Sequence, residues 1–296
     1  MESGKNNVDL LEGFLIIYFY LLEKNLNEEP CGLQEIRVQS EEANTDEFLK
    51  HFFQNYIKKN NSIKNTTIKK VSILNDNDES VIEVSQLLDI EITDVFLPDQ
   101  LSPEQKAEIT SQKKSVYTNP DLYLEISFKG KAVYRPVELK STKDNKIPGS
   151  SVQQVSPHEW VIFVKRDTLK PIVSTGLYLY AITEKIQFPD RSPRPEVGFK
   201  ALAEWNDRFR KEESNTLTIE NNSDICITKL KLLEDWQDYL ADSWLIIIQS
   251  KILFSKEKWF NTAIRKFAIK LLLYFESLSE FEKDELKERL NTSIKK

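Results

Sequence analysis

Residues 120–142 read Pro120-Asp121-Leu122-Tyr123-Leu124-Glu125-Ile126-Ser127-Phe128-Lys129-Gly130-Lys131-Ala132-Val133-Tyr134-Arg135-Pro136-Val137-Glu138-Leu139-Lys140-Ser141-Thr142. Successive side chains of a strand point to opposite faces. Leu122, Leu124, Ile126 and Phe128 therefore take one face, and Asp121, Tyr123, Glu125 and Ser127 the other. After a break at Gly130, Val133, Val137 and Leu139 alternate with Tyr134, Glu138 and Lys140. Two consecutive strands are predicted, with an acid opening the first and an acid and a lysine closing the second. Residues two apart on a strand lie about 6.5–7 Å apart on one face, so Glu138 and Lys140 share a face. If the strands pair, Asp121 reaches the same pocket.

That set of groups suits a divalent cation held against a phosphate. Mg²⁺ takes oxygen ligands, commonly one or two carboxylates with water and substrate phosphate completing the shell. Asp121 and Glu138 fit that count, and the carbonyl of Leu139 could add an oxygen. A metal so placed activates water and stabilises charge on the phosphate, while Lys140 orients the water or neutralises developing charge. Acid-x-Lys by itself is common here: Glu104-Gln105-Lys106, Asp144-Asn145-Lys146 and Glu285-Leu286-Lys287 also match, and Pro-Asp recurs at 98–99 and 189–190. Only Asp121 with Glu138 and Lys140 lies on consecutive strands with apolar residues on the opposite face.

Pro120-Asp121, followed after sixteen residues by Glu138-Leu139-Lys140, resembles the signature of the PD-(D/E)XK nuclease superfamily, and within it the type II restriction endonucleases. The likeness covers residues 120–142, and more loosely the strands to 182. It implies an α/β fold, a restriction-endonuclease-like mixed central sheet flanked by helices. It also implies Mg²⁺ held by Asp121 and Glu138, with Lys140 assisting the attacking water. Further implications are a homodimer on double-stranded DNA at a short palindrome, 5′-phosphate ends, and a cognate DNA methyltransferase as a functional companion rather than a bound partner. Many members add an acid from a preceding helix, for which Glu47 and Glu83 are candidates. Pro136 departs from a smooth central strand, because it removes a ladder donor and implies an edge or a bulge.

Composition narrows the alternatives. The 296 residues carry 40% hydrophobic and 30% charged side chains, as in ordinary globular proteins. The longest apolar run, Phe14 to Leu22, is too short for a membrane helix of about 20 residues. Asp9 and Glu12 precede it, unlike the basic start of a signal peptide. With only Cys31, Cys226, His51 and His158, a disulfide framework, a Cys/His zinc site and histidine-based hydrolysis are poorly supported. A cytoplasmic location and no membrane partner are expected. The net charge of −6 is unevenly spread. Residues 1–50 hold 11 acids and 4 bases, giving −7, and residues 129–170 hold 9 bases and 4 acids, giving +5. A basic site on an acidic protein suits a polyanion held at one cleft.

Around the two strands, helices are expected at 8–24 and 45–59, a strand at 70–74, and a helix start at Ser102-Pro103. Residues 79–97 fit helix or strand. A polar loop is expected at 143–158, buried strands at 160–164 and 177–182, an irregular stretch at 188–196, and helices at 198–212, 225–254 and 256–278 before a charged tail from Ser279. Trp236, Trp244, Phe254, Trp259, Phe267 and Phe275 are expected to be core. The organisation that follows is an N-terminal helical region (1–65), a nuclease core (66–215) and a mainly helical C-terminal region (216–296). In the loop, Ser150, Ser151, Gln153 and Gln154 could approach DNA, glutamine being able to pair with adenine; an ordinary polar loop fits equally. Lys143, Lys146, Lys165 and Arg166 could contact phosphates or be solvated surface, and His158 reads as a turn residue. A repair or recombination nuclease, or a catalytically inert DNA-binding protein on a nuclease-like core, are the alternative readings.

Overall fold

The computed structural model describes residues 5–29, 32–38, 42–75, 78–112, 120–150, 156–166, 170–187, 194–249 and 258–294. Two helices open the chain, α1 (Lys5–Glu28) and α2 (Glu42–Lys59). Next come β1 (Lys70–Asn75), β2 (Asp78–Glu83), β3 (Glu91–Phe96), α3 (Pro103–Gln112), β4 (Leu122–Phe128) and β5 (Lys131–Thr142). The middle of the chain holds β6 (Lys146–Pro148), β7 (Trp160–Lys165), β8 (Ile172–Leu177), α4 (Tyr178–Ala181), β9 (Ile182–Gln187) and β10 (Arg194–Gly198). It continues through α5 (Phe199–Phe209), β11 (Arg210–Glu213), β12 (Thr216–Asn221), α6 (Ser223–Glu234), α7 (Trp236–Gln249), α8 (Lys258–Ser277) and α9 (Glu280–Ser293).

The architecture is α/β with mixed sheets flanked by helices and a helical C-terminal region. The central sheet has five strands in the order β3-β4-β5-β7-β8, antiparallel except where β5 runs parallel to β7. The β4–β5 hairpin turns at Lys129 and Gly130, both at positive φ (51° and 75°), the pairing that a type I′ turn requires. One face of the sheet, carrying Leu122, Leu124, Ile126, Val137, Leu139 and Ile162, is buried with Phe14, Phe19 and Leu49 of α1 and α2. The other face puts Val161 and Phe163 of β7 in a second core with α4 and α5. Tyr123 and Tyr134 pack with Leu101 and with Ile109 of α3. At the start of α3, Ser102 Oγ accepts from Gln105 N and Gln105 Oε1 accepts from Ser102 N, a reciprocal cap.

Pro136 is accommodated without a bulge. The β4–β5 register runs unbroken through Tyr123 opposite Pro136, and β7 joins β5 only from Val137. At Pro136 the strand has β4 alone as a neighbour, so the missing donor faces no partner strand on the β7 side.

The chain divides into two compact units, Met1–Glu234 and Asp235–Lys296. The first takes in the expected N-terminal helical region together with the sheet, because α1 and α2 share its core, and it runs past 215 through β12 and α6. Several local expectations are corrected. Leu177 to Ile182 is the end of β8, one helical turn and the start of β9, since a short apolar run does not distinguish a buried strand from a buried turn. The loop at 143–158 contains β6, and residues 194–196 are strand. The helix at 198–212 stops at Phe209, where β11 and β12 form a hairpin about Ser214 and Asn215 (φ 50° and 62°). The helix expected at 225–254 is broken at Asp235 into α6, in the first unit, and α7, in the second, and the charged tail is the helix α9, capped reciprocally by Ser279 and Glu282. Trp259 and Phe267 are 57% and 59% exposed, not core, and Phe254 lies outside the described residues. Among the described residues no helix is long and apolar enough to cross a membrane.

Candidate functional site: a carboxylate–lysine cluster at the sheet end

The register of β4 against β5 pairs Leu122 with Val137, so Asp121, just before β4, stands beside Glu138 and Leu139. Asp121 Oδ2 accepts the Leu139 amide N–H at 2.9 Å. Its Oδ1 lies 3.2 Å from Lys50 Nζ of α2. Lys140 Nζ donates to Glu138 Oε1 at 2.6 Å and to Ser150 Oγ at 3.0 Å. Ser150 Oγ donates to the same Glu138 oxygen at 2.6 Å. Glu138 and Lys140 are 7% and 16% exposed, so this pair is far less screened than a surface ion pair. No described residue hydrogen-bonds to Glu138 Oε2.

The cluster opens into a cavity of about 470 Å³ lined also by Asp46 and Lys50 of α2, Gly149 and Ser150, Arg166 and Arg194. Each wall has a structural cause. Tyr178 is fully buried, and its hydroxyl accepts the Ser150 N–H at 2.9 Å, fixing the serine that holds Glu138. Burial raises the Tyr178 pKa far above that of a free phenol, so this hydroxyl stays protonated. Gly149 leaves the room this requires: a Cβ there would lie 2.5 Å from both Tyr178 Oη and the Pro195 carbonyl.

Sequence reasoning thus named Asp121, Glu138, Leu139 and Lys140, and the fold brings them together. The amide of Leu139, rather than the carbonyl considered from sequence, is the atom found against Asp121. Neither candidate helix acid lines the cavity. Glu47 Oε1 lies 2.8 Å from His51 Nε2, and Glu83 pairs with Lys70 at 3.0 Å in the sheet formed by β1, β2, β11 and β12. Asp46 of α2 lines it instead, four residues before Lys50 and so on the same helix face. Of the basic candidates, Lys146 pairs with Glu196 at 3.0 Å and Lys165 donates to Asn145 at 3.1 Å. Lys143 is exposed outside the cavity, Arg166 lines it, and Ser151, Gln153 and Gln154 lie outside the described residues. His158 sits in a turn, as read from sequence. Arg194, which sequence reasoning missed, enters from β10. No protein-family model, no curated protein and no solved structure matches the chain.

The donor set is of the right kind for a hard cation. The carboxylates of Asp121 and Glu138 line the cavity with no histidine or cysteine beside them, and Glu138 Oε2 accepts from no described residue. Among the described residues no three His, Cys, Asp or Glu side chains gather as a complete ligand set. Mg²⁺ needs none, since water and phosphate complete its shell.

Proposed function

We propose that the protein is a Mg²⁺-dependent endodeoxyribonuclease of restriction type, hydrolysing phosphodiester bonds in double-stranded DNA. The observation that carries this reading is the convergence of Asp121, Glu138 and Lys140 in a cavity that also holds Lys50, Arg166 and Arg194. Paired carboxylates beside a half-buried lysine supply the acid and base groups for phosphoryl chemistry, and four cations suit a polyanion.

In this reading Asp121 and Glu138 would hold the Mg²⁺, which when bound supplies Lewis-acid stabilisation of charge on the phosphate. Lys140, held at Glu138 and Ser150, donates to the attacking water and faces the charge that develops on the phosphoryl oxygens. The water oxygen bonds to phosphorus as the P–O3′ bond breaks, the water's proton passing to solvent and the departing 3′-oxygen taking one from a solvent water, which leaves a 5′-phosphate and a 3′-hydroxyl. The Leu139 amide holds Asp121 in a fixed rotamer, so the carboxylate is set before substrate arrives. Arg166 and Arg194 grip neighbouring phosphates, which positions the duplex without reading its sequence. Cutting both strands at a short palindrome calls for two such sites, met by a homodimer.

The test is digestion of supercoiled and linear plasmid DNA with Mg²⁺ and with EDTA. Discrete, Mg²⁺-dependent fragments are expected. Nicking confined to branched or damaged DNA would favour a repair nuclease, and metal-independent binding without cutting an inert DNA-binding protein.

A further inference from the structure

A second cavity, of about 340 Å³, is distinct from the carboxylate–lysine cluster, with which it shares no lining residue. It lies against β8, between α1 and α5, and Trp160, Leu177 and Trp205 are among its walls. The volume falls in the range of small-molecule sites.

Its walls are largely apolar and aromatic, with Ile16 of α1, Trp160, Leu177, Trp205 and Ile219 among them. Trp160 is stacked on Phe19 at 4.3 Å, and Trp205 on Tyr180 at 4.3 Å, so both indoles are fixed. The polar groups in the wall mostly satisfy one another. Tyr180 Oη donates to Asn221 Oδ1 at 2.8 Å, and Asn221 Nδ2 donates to Asn75 Oδ1 at 2.8 Å. Asn206 Nδ2 donates to Ser174 Oγ at 2.9 Å and to the Thr175 carbonyl at 3.0 Å. Arg210 is paired with Glu23 at 2.5 Å.

Glu12 is different. It lines the cavity from α1, and no described residue makes a hydrogen bond or an ion pair with it. The Arg135 charge acts on it only from beyond ion-pair distance, and burial dominates, raising its carboxyl pKa. Glu12 is half-buried, and a carboxylate that has lost part of its water without gaining a partner is costly. A second uncommitted group belongs to a lining residue: the Trp160 indole N–H is buried with no acceptor.

From this juxtaposition we propose that the cavity is a binding site for a small, flat aromatic cation with N–H donors, anchored by the Glu12 carboxylate between the Trp160 and Trp205 walls. A cationic nitrogen group facing Glu12 would form the charge-assisted hydrogen bonds that this carboxylate lacks, and a flat aromatic body packs on the aromatic wall, where Lys229 Nζ already lies 5.5 Å from the Trp205 ring centroid. The site is separate from the proposed nuclease centre and does not depend on it.

Benzamidine is the probe, with benzamide as its neutral isostere, titrated calorimetrically into the full chain and followed by thermal unfolding. Benzamidine is expected to bind at one site and raise Tm, with benzamide at least about tenfold weaker. Glu12→Gln should lower benzamidine affinity at least about tenfold, Glu12→Asp should retain part of it, and Asp121→Asn should leave it within about twofold. Circular dichroism verifies that each variant is folded. No binding to the wild type, equal binding of the two probes, or loss in Asp121→Asn but not in Glu12→Gln would overturn the proposal.

Discussion

Lys50 of α2 lies 3.2 Å from Asp121 Oδ1, so the first carboxylate of the cluster is held by a lysine that sequence spacing does not connect to it. The second carboxylate, Glu138, is held by Lys140 at 2.6 Å. Each of these two carboxylates therefore has its own ammonium group, and a divalent ion at Asp121 would compete with Lys50.

That competition predicts tighter metal binding in Lys50→Ala. The pair is partly exposed, and such pairs contribute about 0.2–1 kcal/mol. Calorimetric titration of Mg²⁺ is expected to give a Kd about two- to fivefold lower than wild type. An unchanged or weaker Kd would mean that Lys50 does not compete for the metal site.

Ser150 is positioned from behind by Tyr178 and Gly149. Tyr178→Phe removes the acceptor of the Ser150 N–H and should cost about 1–2 kcal/mol in urea unfolding, as for a buried donor left without its partner. Gly149→Ala forces a Cβ against the Pro195 carbonyl and should cost about 1–3 kcal/mol as overpacking. Both variants should lose cleavage rate, with Mg²⁺ affinity changed less. Unimpaired cleavage by both would show that Ser150 has no positioning role.

DNA binding in EDTA should separate Arg194 from Lys146. Lys146 is already paired with Glu196, which also accepts from Thr183 Oγ1 at 3.0 Å, whereas Arg194 lines the cavity. Arg194→Ala is expected to weaken binding and reduce the salt slope by about one, the loss of one phosphate contact. Lys146→Ala should leave that slope unchanged. The opposite pattern would place the DNA path along β6.

Titration should reveal how much phenol the fold buries. Burial pushes Tyr20 and Tyr123 up to about 12, and raises Tyr18, Tyr134, Tyr178 and Tyr180 as well. A raised folded-state value means that the stability is fully present below the ordinary value of 10.0 and is lost as pH climbs through the folded values. Tyrosinate absorbance at pH 10.5 should be less than half that of the chain in urea, and unfolding should set in at about pH 11–12. Glu12 obeys the same sign. Its stability is fully present below 4.5 and is lost as pH rises through its raised folded value, so Glu12→Gln should raise Tm at pH 7 and not at pH 4. Ordinary tyrosinate titration, or a lower Tm for Glu12→Gln at pH 7, would contradict these assignments.

What could be read in advance was set by local periodicity. The alternation at 121–128 and 133–140 fixed the hairpin, the face toward α1 and α2 and the convergence of Asp121, Glu138 and Lys140, because a one-residue slip would turn Leu122, Leu124 and Ile126 away from that core. Helix α3 was legible at its start because Ser102 and Pro103 are positional signals. Strands β11 and β12 were not, since Arg210 to Glu213 is wholly charged and its pairing rests on long-range contact with β12 and β1. Asp46, Lys50 and Arg194 were missed as site residues because distant elements deliver them to the sheet end, and no spacing in the sequence records that meeting. Glu47 was one of two candidates for the helix acid that the family resemblance implies, but one residue along a helix is about 100° around its axis, which turns it away from Asp46.

The central claim rests on Asp121, Glu138 and Lys140 acting together on a phosphodiester. The most direct measurement is single-turnover cleavage of plasmid DNA at saturating Mg²⁺ by wild type, Asp121→Ala and Lys140→Ala, each checked for fold by circular dichroism. The account predicts Mg²⁺-dependent cleavage by the wild type and a loss of at least about a thousandfold in both variants, since residues acting as one unit fail together. Undiminished cleavage by either folded variant, or no cleavage by the wild type on any duplex DNA, would contradict it.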